Sequence, residues 1–245
     1  MLRLWVFLLC AVAGQPQAAL PVREKLEYSV EWRLINAGKV QLRWSANSQA
    51  DKTGWETKVH LESTGLVSKL FKVTDDYSSW MNEDLCASGS VLNSLEGRRR
   101  RETHVAFDAA SRKANYREKD LNTNATVASD DIDIPPCVHD VFGGLYLLRT
   151  MRLEPGQSAQ VPISDGKKSV SAKVEAQARE TVKTPSGTYK TIRYEAFLFN
   201  DVLYRRPAHL YFWLTDDTRK LPVQIRVKMQ VTIGTITLQL ENEQL

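Results

Sequence analysis

Leu26-Glu27-Tyr28-Ser29-Val30-Glu31-Trp32-Arg33-Leu34 decides the fold. Apolar and polar residues alternate along it, and only an extended chain places every second side chain on one face. The same rhythm runs outward in both directions. Val40, Leu42 and Trp44 alternate with Lys39, Gln41 and Arg43, and Trp55, Thr57, Val59 and Leu61 with Glu56, Lys58 and His60. Asn36-Ala37-Gly38 and Asp51-Lys52-Thr53-Gly54 supply turn residues between these runs. Further alternation fills 71–81, 103–107, 114–116, 161–163, 170–176, 191–199, 210–214, 223–233 and 236–240, with a hairpin signal at Thr184-Pro185-Ser186-Gly187. The spacing predicts about eleven or twelve strands in a mainly β protein, a curved antiparallel sheet or open half-barrel.

Two segments depart from that period. Gly65 to Leu70 reads as one helical turn. Pro135-Pro136 followed by Val138, Val141, Phe142, Leu145 and Leu148 predicts a central helix of about three turns, with proline at its first positions. That helix is expected to plug or cover an open end of the sheet. Nothing between residues 20 and 245 divides the chain, so one β-rich domain is expected there.

Ahead of it, Met1-Leu2-Arg3, an apolar run from Leu4 to Ala13, a break at Gly14-Gln15-Pro16-Gln17 and small Ala18 and Ala19 have the layout of a signal peptide. Residues 1–19 are read as a leader cleaved after Ala19, and the mature chain as periplasmic or secreted. The run is about half the length a membrane span needs, and no later segment approaches that length. Export changes the cysteine arithmetic. Of three cysteines, Cys10 leaves with the leader, and Cys86 and Cys137 remain in a disulfide-permissive compartment. A structural disulfide is expected; two separate buried thiols are the alternative.

Composition excludes more than it selects. The chain has 245 residues, 42% of them apolar, with 33 Lys and Arg against 29 Asp and Glu. A formal charge of +4 is too mild to imply nucleic acid. Arg98-Arg99-Arg100-Arg101 reads as a charged edge strand, since alternation sends neighbouring arginines to opposite faces. His60, His104, His139 and His209 show no metal-ligand spacing, and neither a nucleophile elbow nor a phosphate-cradling glycine loop is present. No metal and no cofactor are expected. Asp75-Asp76, Asp130-Asp131 with Asp133, and Asp216-Asp217 are pairs that ordinarily sit solvated in turns.

The aromatic residues point elsewhere. Trp80 lies on the parity opposite to Tyr77 and Met81, and Tyr211 and Trp213 oppose Leu210, Phe212 and Leu214. Strands apolar on both faces are covered twice, by a helix, a second sheet or a ligand.

Several stretches also resemble the DUF3108 family of exported bacterial proteins. They are Glu24-Lys25-Leu26-Glu27-Tyr28-Ser29-Val30 with Ala37-Gly38, Asp75-Asp76-Tyr77, Ile134-Pro135-Pro136 with Asp140, and Leu145-Tyr146-Leu147-Leu148-Arg149-Thr150. Glu180 to Thr188 and Trp213-Leu214-Thr215-Asp216-Asp217 with Leu221-Pro222-Val223 complete the set. The resemblance implies an exported β-rich protein and no catalytic residues. Cys86, and Cys137 in place of a glycine after the prolines, look like a joint addition, which supports their pairing. At the level of fold the chain is also similar to open lipid-carrying half-barrels. The expected function is therefore non-enzymatic: binding or carrying an apolar or amphipathic, lipid-like ligand, with Tyr77, Trp80, Arg149, Tyr211 and Trp213 as binding residues. A structural or interaction module with an envelope protein partner is the alternative, and a hydrolase of envelope polymers the third reading.

Overall fold

The computed structural model describes residues 20–49, 52–230 and 234–245; the expected leader lies outside the described residues. Fourteen strands form one antiparallel sheet. From β1 (Arg23–Trp32) the chain runs through β2 (Ile35–Gln49), β3 (Lys52–Ser63), α1 (Gly65–Leu70), β4 (Val73–Asn82), β5 (Ala87–Glu96), β6 (Arg99–Asp108) and β7 (Lys113–Asp120) to β8 (Ala125–Asp133). After α2 (Val141–Thr150) come β9 (Ser158–Ser164), β10 (Ser169–Thr184), β11 (Gly187–Ala196), β12 (Ala208–Thr215), β13 (Pro222–Met229) and β14 (Thr235–Gln244). Strands 1 to 8 lie side by side in sequence order, as do 9 to 14, and β1 pairs with β14. The sheet is thus an up-and-down meander wound toward a barrel but unjoined at one seam, between β8 and β9.

Alternation sets the inner face. Leu26 lies opposite Leu42, Tyr28 opposite Val40 and Leu240, and Leu42 opposite Val59, all on one side. Two strands beyond the expected number have physical explanations. In β5, Gly89, Ser90, Asn93 and Ser94 replace apolar residues, which blurs the period. In β8 most side chains are exposed, so no apolar face announces it.

Four local expectations shift. The β1–β2 connection is the two-residue turn Arg33-Leu34, with both φ values positive at 51° and 68°. Asn36-Ala37-Gly38 falls inside β2, next to a bulge opposite Val30 and Glu31. The prolines do not start α2. Pro136 and Cys137 form a bend, His139 bridges Ile163 of β9, and the extended Asp140 is the helix N-cap, its Oδ1 accepting from Gly143 N at 2.5 Å. Lastly, β6 pairs on both sides, with β5 and β7, so its arginines are not on an edge.

The core has three parts. Strands β1–β3 and β14 enclose Leu26, Tyr28, Leu42, Trp44 and Leu240, joined by Tyr146 of α2. Strands β9–β12 enclose Val161, Ile163, Ala176, Tyr194 and Leu214, joined by Leu145 and Leu148. The β5–β8 wing keeps a smaller group, Val105, Phe107, Ala114 and Tyr116, with Ile134 and Val138 from the segment preceding α2. The helix therefore sits within the curve of the sheet and links two walls. Gly144 permits the approach to β9, because a Cβ there would lie 2.5 Å from Ile163 Cδ1. Cys86 and Cys137 form a disulfide that ties the β4–β5 turn to the lead into α2. Their Cα atoms are 5.0 Å apart, within the ordinary range.

Candidate ligand-binding cleft

The inner face of the β4–β7 wing is less filled than the rest. Parity places Tyr77, Ser90, Leu92, Thr103, Val105, Phe107 and Tyr116 there as a continuous wall. The start of α2, with Val141 and Phe142, stands opposite, together with Asp165 and Lys167 of the β9–β10 turn and Tyr204. Between them is a cleft of about 450 Å³. Clefts of roughly 300–1,000 Å³ with apolar walls and few polar groups are typical small-molecule sites.

Its polar groups fall in two places. Near the helix start, the Tyr77 hydroxyl donates to Asp140 Oδ2 at 2.7 Å, while the Asp140 Oδ1 caps the helix. Burial, then the Asp140 charge, raises the Tyr77 phenol well above its ordinary value, so it stays a donor. The Tyr77 and Phe142 rings meet at 5.2 Å. At the other end, Lys167 Nζ lies 4.2 Å from the Tyr116 ring centroid and 3.5 Å from Glu118 Oε2. Tyr116 donates to the same carboxylate at 2.8 Å, and Arg99 approaches it at 3.2 Å. Burial opposes the Glu118 charge, yet these contacts prevail and hold its carboxyl below the usual range. Burial likewise opposes charge on Lys167, and the Tyr116 and Glu118 contacts hold its ammonium above the usual value. Both groups are therefore ionised at neutral pH.

The turn bearing Lys167 is fixed by backbone requirements. Gly166 has φ +87°, and a Cβ there would fall 2.6 Å from Val105 Cγ1. The turn can therefore rest directly on the β6–β7 wall, which brings Lys167 to the cleft.

The five residues expected to bind ligand are not brought together. Tyr77 lines the cleft. Trp80 faces the other side of β4, where its indole donates to Glu56 at 3.0 Å. Tyr211 and Trp213 lie on the side of β12 opposite Leu210, Phe212 and Leu214. Trp213 is buried there, donating to Glu180 at 2.9 Å with Arg226 stacked over its ring. Arg149, at the far end of α2, is 2% exposed and forms a two-pronged pair with Glu24, in which Nη2 is 3.1 Å from Oε2. Tyr146 donates to the same carboxylate at 2.6 Å and stacks on Trp44, with ring centroids 3.7 Å apart. This cluster fastens α2 to β1 and β2.

The carboxylate pairs do not converge either. Asp75 faces inward, whereas Asp76 faces outward and meets His60 at 2.7 Å. On β8, Asp130, Asp131 and Asp133 are exposed. Asp217 caps its own turn by accepting from Arg219 and Lys220 amides. Sequence reasoning missed Leu92, Val105, Tyr116, Phe142 and Lys167 as cleft residues. Their apolar periodicity marked several as inward-facing, but nothing local distinguishes a wall left bare from one covered by the helix.

Fold and cleft together define an open up-and-down β-barrel whose concave face is partly occupied by its own helix. The chain belongs to the DUF3108 family, described as a protein of unknown function, which matches residues 27–241. Among solved structures it is similar to a β-barrel-like protein of the DUF1849 family from Brucella abortus, at 9% identity and TM-score 0.56, covering 92% of this chain and 98% of that one. This likeness is one of fold. A DUF1089-family protein from Pseudomonas aeruginosa matches at 14% identity and TM-score 0.37, covering 74% of this chain and 87% of that one. No curated protein matches. Among the described residues, no helix is long and apolar enough to cross a membrane.

Proposed function

We propose that this is an exported, non-enzymatic binding protein that holds an amphipathic, lipid-like ligand in the cleft between the β4–β7 wall and the start of α2. The observation that carries this reading is the cleft itself: about 450 Å³ walled by Leu92, Val105, Phe107, Tyr116 and Phe142, with ionised Lys167 at one end. An apolar tail gains from leaving water against such walls, at roughly 25 cal/mol per Å² buried. Export rests on the leader-like residues 1–19 and suits the disulfide, which persists in oxidising compartments.

The test is titration of delipidated protein with a dansyl-labelled fatty acid. Saturable binding is expected, and Val105→Trp, which fills the cleft, should weaken it at least about tenfold while leaving thermal unfolding cooperative. Absence of binding, or binding indifferent to Val105→Trp and Leu92→Trp, overturns the reading.

A further inference from the structure

Because one antiparallel sheet holds every strand, the β1–β2, β3–β4, β5–β6, β7–β8 and β11–β12 connections all emerge at the same end. That end carries an unusual surface. Leu34 is 94% exposed, Leu70 87% and Leu66 69%, and Ile35 and Phe71 are each more than half exposed. These residues adjoin one another. Thr64 N donates to the Ala37 carbonyl, which sets α1 beside the β1–β2 turn, and the Phe71 ring lies against Gly97 of the β5–β6 turn. An exposed apolar group of this extent on one end calls for a partner.

Leu34 sharpens the point. It adopts φ +68°, a conformation that suits glycine or asparagine, and it projects a full aliphatic side chain into water from there. Neither the backbone nor the core benefits. A residue that breaks two local preferences at once is best explained by something it touches outside the fold.

Charge identifies the partner. Lys69, Lys72, Arg98, Arg100, Arg205 and Arg206 are exposed on the same turns, and among the described residues none of them has an acidic partner. The β9–β10 turn opens at this end too, and the acidic residues there, Glu31, Glu62, Glu96, Asp120, Asp165 and Asp201, are outnumbered once Arg99, Lys167 and Lys168 join those six cations. Aliphatic tips surrounded by unpaired cations match an anionic bilayer surface, where apolar side chains enter the acyl boundary and cations meet phosphate. A protein partner would need a preformed concave apolar face, for which nothing in this charge pattern argues.

We propose that the protein docks by this end onto anionic lipid membranes, inserting Leu34, Leu66, Leu70 and Phe71 among the headgroups. The lower part of the cleft is closed by buried Ile134 and Val138, whereas its upper walls lead through Arg101 and Glu118 to the docking end. The docking surface stands on its own residues, independently of what the cleft holds.

Cosedimentation of the full mature chain with phosphatidylglycerol vesicles, beside phosphatidylcholine vesicles, tests it. Binding to the anionic vesicles, weakened by high salt, is expected. Arg98→Gln with Arg100→Gln should reduce the partition coefficient by on the order of 25-fold, about fivefold for each charge. Leu34→Asn with Leu70→Gln should lower it by roughly tenfold per residue from lost apolar burial. Asparagine suits the left-handed turn, so Leu34→Asn keeps or raises the unfolding midpoint, and lost docking cannot then be ascribed to misfolding. Val105→Trp should still sediment, which separates failure of the cleft reading from failure of this one. No sedimentation, sedimentation untouched by these substitutions, or a solution dimer that they dissociate overturns the proposal; the dimer would assign the surface to a second copy.

Discussion

Glu24 and Arg149 show how the residue scale works in this protein. Two opposite charges are held out of water, and their pairing is matched by the Tyr146 hydroxyl and the Arg219 carbonyl, while among the described residues Arg149 Nε has no hydrogen-bond partner. Such pairs contribute little net stability, but removing one partner strands the other. Arg149→Met should therefore destabilise by about 3–5 kcal/mol, and adding Glu24→Leu should restore most of it, as read by urea unfolding of the singles and the double. Asp75 carries a different prediction. Burial first, and then the Glu96 charge, push its carboxyl up to about 6 from 3.8. An acid with a raised folded-state value binds its proton more tightly folded than unfolded. Its penalty is absent below about pH 4 and grows as pH rises through about 6. Asp75→Asn should accordingly gain roughly 1–2 kcal/mol at pH 7, after allowance for partial exposure, and nothing at pH 4, in thermal melts at both values. The sequence reading places Arg149 among the binding residues, but its partner Glu24 lies 125 residues away. No spacing rule reaches that far, so the anchoring of α2 through Arg149 and Glu24 is not legible in the sequence.

At the scale of elements, α2 and its lead form the joint between the two halves of the sheet. The disulfide closes 51 residues, His139 Nδ1 reaches the Leu85 carbonyl at 2.7 Å, and Ala87 N donates to Val138. Replacing Cys86 and Cys137 by alanine should lower stability by about 2–4 kcal/mol, and hydrogen exchange should quicken over 138–144 before the sheet. Exchange unchanged in that segment would show that the hydrogen bonds alone hold it. Periodicity was sufficient to find α1, α2 and the strands with a clear apolar face. It misplaced the start of α2, since prolines favour a first helical turn only when the chain around them is free to coil. Here the cystine and the β9 bridge hold it out of a helix until Asp140 can cap.

Among the described residues the sheet has two edge strands, β8 and β9, and His139 from the segment after β8 bridges β9 at Ile163. On β8, Asp131 pairs with Arg117 and Asp133 with Lys113, and Asp130 is also exposed. Charged edges discourage pairing with another chain. Asp131→Val with Asp133→Val should produce concentration-dependent oligomers in size-exclusion chromatography, whereas the parent chain elutes independently of concentration. Alternation alone revealed a curved sheet. It could not reveal where the sheet fails to close, because the seam depends on strand order, which alternation within a strand does not carry. The junction of β1 with β14 carries a further implication. The Ser29 hydroxyl donates to the Gln239 carbonyl 210 residues away, and Tyr28 faces Leu240. Each half of the sheet can zip up from neighbouring strands, but the two halves can be spliced only when β14 is laid beside β1. Until then β1 waits with one side bare, so β14 acts as a latch on maturation, and the interval before it pairs is when the chain most needs a chaperone.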